Sequence, residues 1–235
     1  MSTLRSLIII PTYNEAENIE PLLNQIFSMK ENFHILVIDD NSCDGTGKIV
    51  DKLSIENTRL HVIHRPSKQG LGSAYVCGFK YALERDFDLI FQMDADFSHD
   101  PQYLPQFLKA IEDNDVVIGS RYSEGISVVK WSLNRLLLSI AGCFYARFIT
   151  RLKIRDITGG FKCFRRKVLE TIDLNKIHSD GYAFQIEMNY KCVKKGFRVK
   201  EISIIFVDRR VGISKMSGYI IKEAIITPWK LILGF

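Results

Sequence analysis

Short apolar runs alternate with segments of helical periodicity through the first half of this chain. The apolar runs occupy residues 4–10, 34–38, 60–64, 88–93 and 116–119. Near-continuous apolar runs of this length are typical of strands buried on both faces, and the segments between them repeat apolar residues every three or four positions. Strands that alternate with helices in this way build parallel sheets. The sequence therefore predicts an α/β fold with a single open, mostly parallel sheet flanked by helices.

The composition excludes several other classes of protein. Of the 235 residues, 46% are hydrophobic and 25% are charged, so the chain can bury a core and is not intrinsically disordered. The five cysteines include no CxxC pair, which disfavours a disulfide framework or a zinc ribbon and favours a reducing compartment. No uncharged stretch reaches about 18 residues and the first apolar run stops at Pro11, so neither a transmembrane helix nor a signal peptide is expected.

The net charge of +5 favours anionic partners. Charge alone leaves open a nucleic acid, a phosphorylated metabolite or an anionic membrane surface. A nucleic acid is disfavoured because the basic residues do not form a recognisable RNA- or DNA-binding module.

Polar motifs follow the predicted strands at the points where the strands end. They occupy residues 12–15, 39–44, 94–96 and 120–121. Because ligands of open α/β sheets bind at the carboxyl ends of strands, these motifs are expected to share one site. No GxGxxG follows the first strand, and no Lys-Ser or Lys-Thr pair follows Gly70 and Gly72, so dinucleotide-binding and P-loop sites are disfavoured.

Asp94 and Asp96 are the sharpest local feature of the sequence. Two carboxylates separated by one residue at a strand end can hold a hard divalent cation that bridges a diphosphate. The alternative is a solvated turn with a helix cap at Asp96 or Ser98. Asp39 and Asp40 have the same two interpretations, since they can hold a ribose hydroxyl or a base edge, or form an Asx turn.

Two features of the second half also allow a functional and a structural interpretation. Residues 208–215 place Arg209, Arg210 and Lys215 close to a glycine, which gives either a clamp on phosphates or a solvated basic turn. Gln185 and Glu187 lie two apart on a predicted helix, and their simplest interpretation is an exposed polar face.

Taken together, these motifs resemble the family 2 glycosyltransferases, and more closely the polyprenol-phosphate (dolichol-phosphate) mannose synthases. The matching segments are PTYNE at 11–15, VIDDNS at 37–42 with DGT at 44–46, MDADFSHDP at 93–101, GSRY at 119–122, DITGGF at 156–161, GYAFQIE at 181–187 and the basic run at 208–215. The resemblance covers nearly the whole chain and implies a GT-A fold, a nucleotide-sugar-binding α/β domain with an open mixed sheet. Residues 140–143 depart from the family pattern, since they lack the basic residue and the asparagine that many relatives place there.

The resemblance also implies roles for individual residues. The pocket for the base and the ribose would be lined by Pro11, Tyr13, Glu15, Ile38 and Asp40. Asp94, Ala95, Asp96 and Ser98 would meet the diphosphate, with Mg²⁺ or Mn²⁺ held by Asp94, Asp96 and Ser98. Arg121, Arg209 and Lys215 would contact phosphates, and Arg121 and Arg135 would bind the acceptor phosphate. Asp94, Asp96, Arg209 and Lys215 would act in catalysis.

The implied activity is an inverting transfer of mannose from GDP-mannose to a polyprenyl (dolichyl) phosphate, giving a β-linked product. A phosphate monoester is already ionised near neutral pH because its second pKa is about 6, so this nucleophile needs no general base. Two alternatives stay open: transfer of glucose or another sugar from UDP-glucose or another nucleotide sugar to the same kind of lipid, and a non-catalytic nucleotide- or polyanion-binding protein.

A lipid acceptor also implies how the chain is divided into domains and where in the cell the protein is located. Residues 1–216 are expected to form the glycosyltransferase domain, with an interfacial helical insertion at about 128–152, and residues 217–235 a C-terminal amphipathic helix. Peripheral attachment to the cytosolic face of a membrane is expected. The alternative is that the first helix is buried and the second packs on the domain. Whether an accessory integral-membrane subunit is needed stays open.

Overall fold

The computed structural model describes residues 4–208 and 218–234. The strands are β1 (Ser6–Thr12), β2 (Phe33–Asp39), β3 (Leu60–His64), β4 (Leu89–Gln92), β5 (Val116–Ser120), β6 (Val128–Val129), β7 (Lys162–Arg165), β8 (Val199–Ser203) and β9 (Phe206–Val207). The α-helices are α1 (Ala16–Phe27), α2 (Thr46–Glu56), α3 (Leu71–Glu84), α4 (Leu104–Ile111), α5 (Leu133–Thr150), α6 (Arg166–Thr171), α7 (Gly181–Lys194) and α8 (Gly218–Leu233). Short 3₁₀ turns occupy Pro101–Tyr103 and Leu174–Lys176.

Seven strands form one mixed sheet in the order β3-β2-β1-β4-β7-β5-β8. All pairs in it are parallel except the two made by β7, which runs antiparallel to β4 and to β5. The continuous apolar runs correspond to strands that are covered by helices on both faces. In β1, for example, the side chains on both faces of the sheet are buried. Leu7 and Ile9 face the core cluster that includes α3 and α7, and Ile8 and Ile10 face the cluster that includes α1 and α4. The predicted α/β fold with a mostly parallel sheet is confirmed.

The strand register brings the polar motifs to one edge of the sheet. Thr12 pairs with Asp39, and Asp39 pairs with His64, so β1, β2 and β3 end side by side. β4 is parallel to β1 and leads directly to Asp94. Because parallel strands present their carboxyl ends at the same edge, the acidic motifs become neighbours in space.

Residues 199–207 form two strands that belong to different sheets. β8 pairs with β5 only as far as Ser203, which lies opposite Ser120, the last residue of β5. Ile204 still donates its backbone N–H to the Ser120 carbonyl, but beyond that point no strand remains to pair with. β9 then pairs with β6 in a separate two-stranded sheet. The end of the partner strand therefore divides this segment in two.

A 3₁₀ turn precedes α4, and Pro101 is its first residue. The Asp100 side chain caps this turn by accepting a hydrogen bond from the Gln102 backbone N–H at 2.9 Å. The cap is therefore Asp100, and neither Asp96 nor Ser98 has that role.

The helical insertion begins later than its predicted bounds. Residues 128–129 form β6, and α5 starts after Ser132, whose side chain accepts a hydrogen bond from the Arg135 backbone N–H. α5 packs against α8, because the Tyr145 hydroxyl donates to the Ile225 carbonyl at 2.8 Å and accepts from Trp229 Nε1 at 2.9 Å. Among the described helices, none has the length and apolar character needed to cross a membrane.

The outer faces of α5 and α8 expose an unusual number of large apolar side chains, which we call the apolar ridge. Its members are Leu133, Leu137, Leu138, Ile140, Phe144 and Phe148 on α5 and Ile225, Ile226, Trp229, Ile232 and Leu233 on α8. Three exposed basic residues, Arg151, Lys222 and Lys230, belong to the same two helices or their ends. The alternative of a buried α5 is wrong for this face, although the opposite face of the helix does pack on the core through Cys143 and Ala146.

Two glycines offer a test of how tightly the helices pack on the sheet. A Cβ built on Gly78 in α3 would lie 2.6 Å from Ile9 Cγ2, whereas a Cβ on Gly142 in α5 would have no neighbour within 4 Å among the described residues. We expect Gly78→Ala to lower the free energy of unfolding by about 1–3 kcal/mol through overpacking. The matched control Gly142→Ala should raise it by up to about 1 kcal/mol, because alanine is the better helix former. Urea denaturation measures both, and equal effects of the two variants would contradict the packing described.

Candidate active site

A cleft of about 320 Å³ lies at the edge of the sheet where the parallel strands end. It is lined by most of the residues expected to act in the site: Pro11, Tyr13, Glu15, Asp40, Asp94, Ala95, Asp96, Ser98, Arg121 and Arg135. Ile38 is an exception, because it is fully buried in the core beneath the cleft and does not line it. Arg209 and Lys215 lie outside the described residues.

Asp40 lies at one end of the cleft and is held by two neighbours. Arg65 forms a buried ion pair with Asp40 through its Nε, and the Gln69 backbone N–H donates to Asp40 Oδ2 at 3.2 Å. Arg65 is itself fixed by Ser73 Oγ at 2.7 Å and the Gly70 carbonyl at 3.0 Å. The carboxylate is therefore presented in one orientation, and it can still accept hydrogen bonds from a ligand because each oxygen has two lone pairs.

The two acids of the Asp39–Asp40 pair have different surroundings. Asp39 does not line the cleft; it accepts hydrogen bonds from Thr12 Oγ1 at 3.0 Å and from the Ser42 backbone N–H at 3.1 Å. The Asx turn, one of the two interpretations offered by the sequence, therefore applies to Asp39. Asp40 faces the cleft, beside Tyr13, whose ring lies 4.2 Å from Lys68 Nζ.

The Asp94–Asp96 motif lies in the middle of the cleft and is fixed by buried side chains. Asp94 Oδ1 accepts a hydrogen bond from the Tyr75 hydroxyl at 3.2 Å, and the Asp94 backbone N–H donates to His99 Nδ1 at 2.9 Å. Burial and the Asp94 charge raise the pKa of Tyr75, so its hydroxyl stays a donor. His99 stacks on Phe161 with ring centroids 5.0 Å apart, which holds the imidazole in place.

The backbone turns sharply directly after this motif. Phe97 has φ of 62°, a left-handed conformation that is uncommon for a residue with a bulky side chain. The turn allows the Ser98 backbone N–H to donate to Asp96 Oδ1 at 3.1 Å. Strained backbone of this kind is concentrated at functional sites.

The donor atoms of this motif fit a hard divalent cation. Asp94 and Asp96 offer carboxylate oxygens at the cleft surface, and Ser98 lies buried next to Asp96. Within residues 4–208 and 218–234, no three His, Cys, Asp or Glu side chains come together as a metal cluster. Two carboxylates suit Mg²⁺ or Mn²⁺, since such ions at phosphate-transfer sites take one or two carboxylates and fill their other positions with substrate phosphates and water.

Arg121 and Asp156 form a fully buried ion pair at the other end of the cleft. Arg121 donates from Nε to Asp156 Oδ2 at 2.7 Å and from Nη2 to Oδ1 at 2.6 Å, and Nη2 also reaches Thr158 Oγ1 at 2.8 Å. Burial favours the neutral form of Asp156, but the Arg121 charge and hydrogen bonds outweigh it and lower the pKa of the carboxyl. Arg121 Nη1 takes no part in the pair with Asp156.

Arg135 also has a carboxylate partner. Its Nη1 lies 2.5 Å from Asp208 Oδ2, and its guanidinium carbon lies 4.3 Å from the centre of the Trp131 ring. The same ring is 5.5 Å from the guanidinium carbon of Arg121. The Trp131 ring is therefore within cation–π distance of both guanidinium groups.

The sequence analysis missed several residues that line the cleft or hold its lining side chains in place. The interpretation of Gln185 and Glu187 as an exposed polar face is wrong, since they are only 3% and 5% exposed, and Gln185 lines the cleft. Arg65, Tyr75 and His99 were not assigned a role, because their partners are distant in sequence or belong to the backbone. His99 follows Asp94 by five residues within one quoted motif, and that proximity is the one signal that could have identified it.

The ion pair between Arg121 and Asp156 gives a prediction about stability. Asp156→Asn leaves a buried guanidinium without its counter-charge, so we expect the free energy of unfolding to fall by about 3–5 kcal/mol at neutral pH. Because the folded pKa of Asp156 is lowered, its contribution is present above the ordinary Asp pKa of about 3.9 and is lost as the pH falls through the folded value. Urea denaturation from pH 7 to pH 3 measures this, with the exposed Asp113→Asn as control. A loss as small as that of the control would contradict the structure.

Comparisons with known proteins agree with this geometry. A family model described as glycosyl transferase family 2 matches residues 7–173. Over 97% of its length, the chain is 45% identical to a polyprenol monophosphomannose synthase from Mycolicibacterium smegmatis, of which it covers 87%. It is 44% identical over the same share of its length to an undecaprenyl-phosphate mannosyltransferase from Micrococcus luteus, of which it covers 95%.

Solved structures with the same fold include more distant proteins. A glucosyl-3-phosphoglycerate synthase from Mycobacterium tuberculosis, in complex with Mn²⁺, UDP-glucose and phosphoglyceric acid, matches with a TM-score of 0.70 at 16% identity over 98% of this chain and 80% of that one. A mannosyltransferase from Pyrobaculum calidifontis, in complex with GDP-mannose and Mn²⁺, matches with a TM-score of 0.59 at 17% identity, and the match covers 99% of this chain and 75% of that one. At these identities the likeness establishes the GT-A fold, and the match to the family model together with the two relatives at about 45% identity shows that this chain belongs to glycosyltransferase family 2.

Proposed function

We propose that this enzyme transfers mannose from GDP-mannose to a polyprenyl phosphate and forms polyprenyl phosphate β-mannose. The observation that carries the proposal is the identity of about 45% over nearly the whole chain to two proteins named as mannosyl-transferring enzymes of polyprenyl phosphates. The order of the strands supports it, because Asp40 follows β2, Asp94 and Asp96 follow β4, and Arg121 follows β5, on the far side of β4 from β2.

The nucleotide would occupy the end of the cleft near Asp40. There the Asp40 carboxylate, fixed by Arg65, would accept hydrogen bonds from the base or the ribose. Tyr13 would offer a ring face to the base, and Pro11 and Glu15 complete this part of the wall. A carboxylate suits guanine in particular, because guanine presents adjacent N–H donors on one edge.

Asp94, Asp96 and Ser98 would hold a divalent cation, Mg²⁺ or Mn²⁺, together with the diphosphate. When bound, the ion would offset the charge that builds on the leaving nucleoside diphosphate. Tyr75 and His99 fix the Asp94 side chain and backbone before the donor arrives, so little reorganisation is needed on binding. Mn²⁺ accompanies the nucleotide sugar in both of the structures compared above, which supports this assignment.

The acceptor phosphate would bind between Arg121 and Arg135. Arg121 contacts Asp156 through Nε and Nη2, so its Nη1 would face the phosphate. Arg135 would release Asp208 and bind the phosphate instead, since both partners of the Arg135–Asp208 ion pair are about a quarter exposed. An ionised phosphate attacks without a general base. This agrees with the described part of the cleft lining, where His99 is the single histidine and its Nδ1 already accepts a hydrogen bond from the Asp94 backbone N–H. In-line attack inverts the anomeric carbon. The sequence-based roles of Arg209 and Lys215 on phosphates stay predictions.

The lipid tail of such an acceptor requires access from a membrane. We assign this contact to the apolar ridge, within a glycosyltransferase domain of residues 1–216 and a C-terminal helix of residues 217–235. The ridge combines exposed Phe, Leu, Ile and Trp side chains with nearby Lys and Arg, the composition of an interfacial helix surface. All five cysteines are unpaired, which agrees with the cytosolic face as the site of attachment.

The activity is tested by a screen of nucleotide-sugar donors. The purified protein is incubated with polyprenyl phosphate, Mg²⁺ or Mn²⁺ and radiolabelled GDP-mannose, UDP-glucose or UDP-galactose, and label in the lipid fraction is counted. We expect transfer from GDP-mannose. Transfer from UDP-glucose alone would establish the related glucosyltransferase, and nucleotide binding without turnover of any donor would establish a non-catalytic binder.

The paired acids give a direct prediction. Asp96→Ala should lower the rate of transfer by on the order of a thousandfold, because one anchor of the divalent cation is lost where charge builds in the transition state. Mn²⁺ affinity, followed by electron paramagnetic resonance in the presence of GDP, should fall in parallel. Asp113→Ala, which removes an exposed acid outside the cleft, serves as the control. Near-normal turnover by folded Asp96→Ala protein, or full activity in excess chelator, would exclude the metal assignment.

The apolar ridge gives a prediction about membrane attachment. Phe144 and Phe148 are 68% and 75% exposed and stack on each other, so the double variant Phe144→Ser/Phe148→Ser should weaken binding to vesicles at least about tenfold. The control is Ile55→Ser, which removes an 85% exposed apolar side chain from α2, outside the ridge. Flotation with phosphatidylcholine vesicles that contain 0–40% phosphatidylglycerol measures the effect.

Binding of the wild type in this assay should rise with the fraction of anionic lipid and fall with salt. Each well-placed Lys or Arg should contribute about 1 kcal/mol to the free energy of binding to the anionic surface. Equal recovery of the wild type in the soluble fraction with and without anionic vesicles would contradict direct attachment. An accessory integral-membrane subunit would then be the remaining route to the lipid acceptor.

A further inference from the structure

A buried lysine lies behind the wall of the cleft and contacts one lining side chain. Lys162, on β7, has no exposed surface, and its Nζ donates to Gln185 Oε1 at 2.7 Å and to the Gln185 carbonyl at 3.2 Å. Gln185, on α7, lines the cleft. Lys162 has no place in the mechanism proposed above.

The contact fixes which way the Gln185 amide points. Because the lysine amine donates to Oε1, the amide NH₂ group must face away from Lys162. It faces Gly160, since a Cβ built on that glycine would lie 3.6 Å from Gln185 Nε2 and 3.3 Å from His99 Cε1. Gly160 carries no side chain, so the amide donor reaches the floor of the cleft.

The position of this donor along the cleft matches the sugar of a nucleotide sugar. Gly160 precedes β7, and β7 lies in the sheet between β4, which leads to Asp94, and β5, which leads to Arg121. The Gln185 amide and His99 adjoin Gly160, so they share this middle position. With the diphosphate at the acids and the acceptor phosphate at Arg121, the hexose must lie between them, because it is bonded to the first and attacked by the second.

We propose that Gln185 donates a hydrogen bond to a hydroxyl of the transferred sugar, and that Lys162 is the positioning residue that presents the Gln185 amide in the required orientation. This inference rests on the function proposed above, and it adds a sugar-contacting residue and its support to that site.

The energetic cost of Lys162 supports a role beyond packing. Burial lowers its pKa to about 7, although the nearby Cys192 and Asp156 oppose that effect. Its cross-strand neighbour on β4, Gln92, is also fully buried, and neither side-chain amide atom of Gln92 has a hydrogen-bond partner among the described residues. An apolar residue of the same length avoids the desolvation of an amine, so packing alone does not account for a lysine here. Charged or neutral, the amine keeps at least two N–H bonds for the two Gln185 oxygens.

The test is a double-mutant cycle measured on the full chain. Lys162→Met and Gln185→Met preserve side-chain length and remove one partner each, and the double variant removes both. Each single variant should lower kcat/KM for GDP-mannose about threefold to tenfold, the range for loss of one neutral hydrogen bond. The double variant should be no worse than Gln185→Met alone, because Lys162 acts through Gln185. The affinity for GDP, which has no sugar, should stay within about twofold of the wild type in calorimetry.

Two further variants separate positioning from stability. Phe164→Leu alters another fully buried residue on the same strand and face as Lys162, so it should lower stability without changing the ratio of GDP-mannose to GDP affinity. Gln185→Glu keeps a partner for the Lys162 amine but presents an oxygen instead of an NH₂ group to the cleft. It should lower GDP-mannose affinity while the protein stays folded, and it tests the sugar contact even if Lys162→Met does not fold.

Three outcomes would overturn the inference: losses that multiply in the double variant, equal loss of GDP and GDP-mannose affinity, or unchanged kinetics in Gln185→Met and Gln185→Glu. The contacted hydroxyl is identified with GDP-mannose analogues that each lack one hydroxyl, since the effect of Gln185→Met should vanish for one of them. If the wild type uses another nucleotide sugar, the proposed function fails, and the same cycle with that donor and its nucleoside diphosphate still tests Gln185 and Lys162.

Discussion

The reversed direction of β7 is the constraint on which the cleft depends. In a purely parallel sheet, only the carboxyl ends of strands reach the ligand-binding edge. β7 is antiparallel to β4 and β5, so its amino end reaches that edge. Gly159 and Gly160, which precede β7, therefore line the cleft between the Asp94–Asp96 motif and Arg121. The register opposite Gln92 and Ile118 also sets Lys162 directly behind α7. One reversed strand thus supplies both the floor of the cleft and the support of its wall.

Three ion pairs fix charged side chains in or directly behind the cleft. Arg65 with Asp40 and Arg121 with Asp156 are buried, whereas Arg135 with Asp208 is about a quarter exposed. The two buried pairs hold side chains in fixed directions, because separating them would leave a charge without a partner in a poorly solvated place. Arg135 and Asp208 are the more exposed pair, so in the proposed mechanism this is the pair that would open for an incoming phosphate. The net charge of the protein alone does not predict which of these cations a ligand would reach.

Much of the fold and the centre of the site could be predicted from the sequence, because apolar strand runs and strand-end acids are local signals. Asp94, Asp96 and Asp40 were identified in this way. The remaining features depend on long-range packing. The partner of Arg121 lies 35 residues further along the chain, and the polarity of Gln185 conceals its burial between the sheet and the cleft. Ile38 differs in the other direction. Its place in a motif predicts a contact with the nucleotide, but its side chain packs into the core. The break between β8 and β9 followed from the length of β5, which no local pattern in residues 200–207 records.

The dimensions of α5 have a consequence for how the enzyme would meet its lipid. Arg135 lies in its first turn, and Phe148 lies 13 residues later, so the two are separated by about 20 Å along the helix axis at 1.5 Å per residue. Because Tyr145 is hydrogen-bonded to α8 on both sides of its hydroxyl, the two helices would tilt together. With the apolar ridge in the bilayer interface, the axis of α5 would run along the membrane surface, so this distance would be lateral. A phosphate bound at Arg135 would then lie about 20 Å from the Phe148 end of the ridge, and the paired helices would set the direction in which the cleft faces the headgroups.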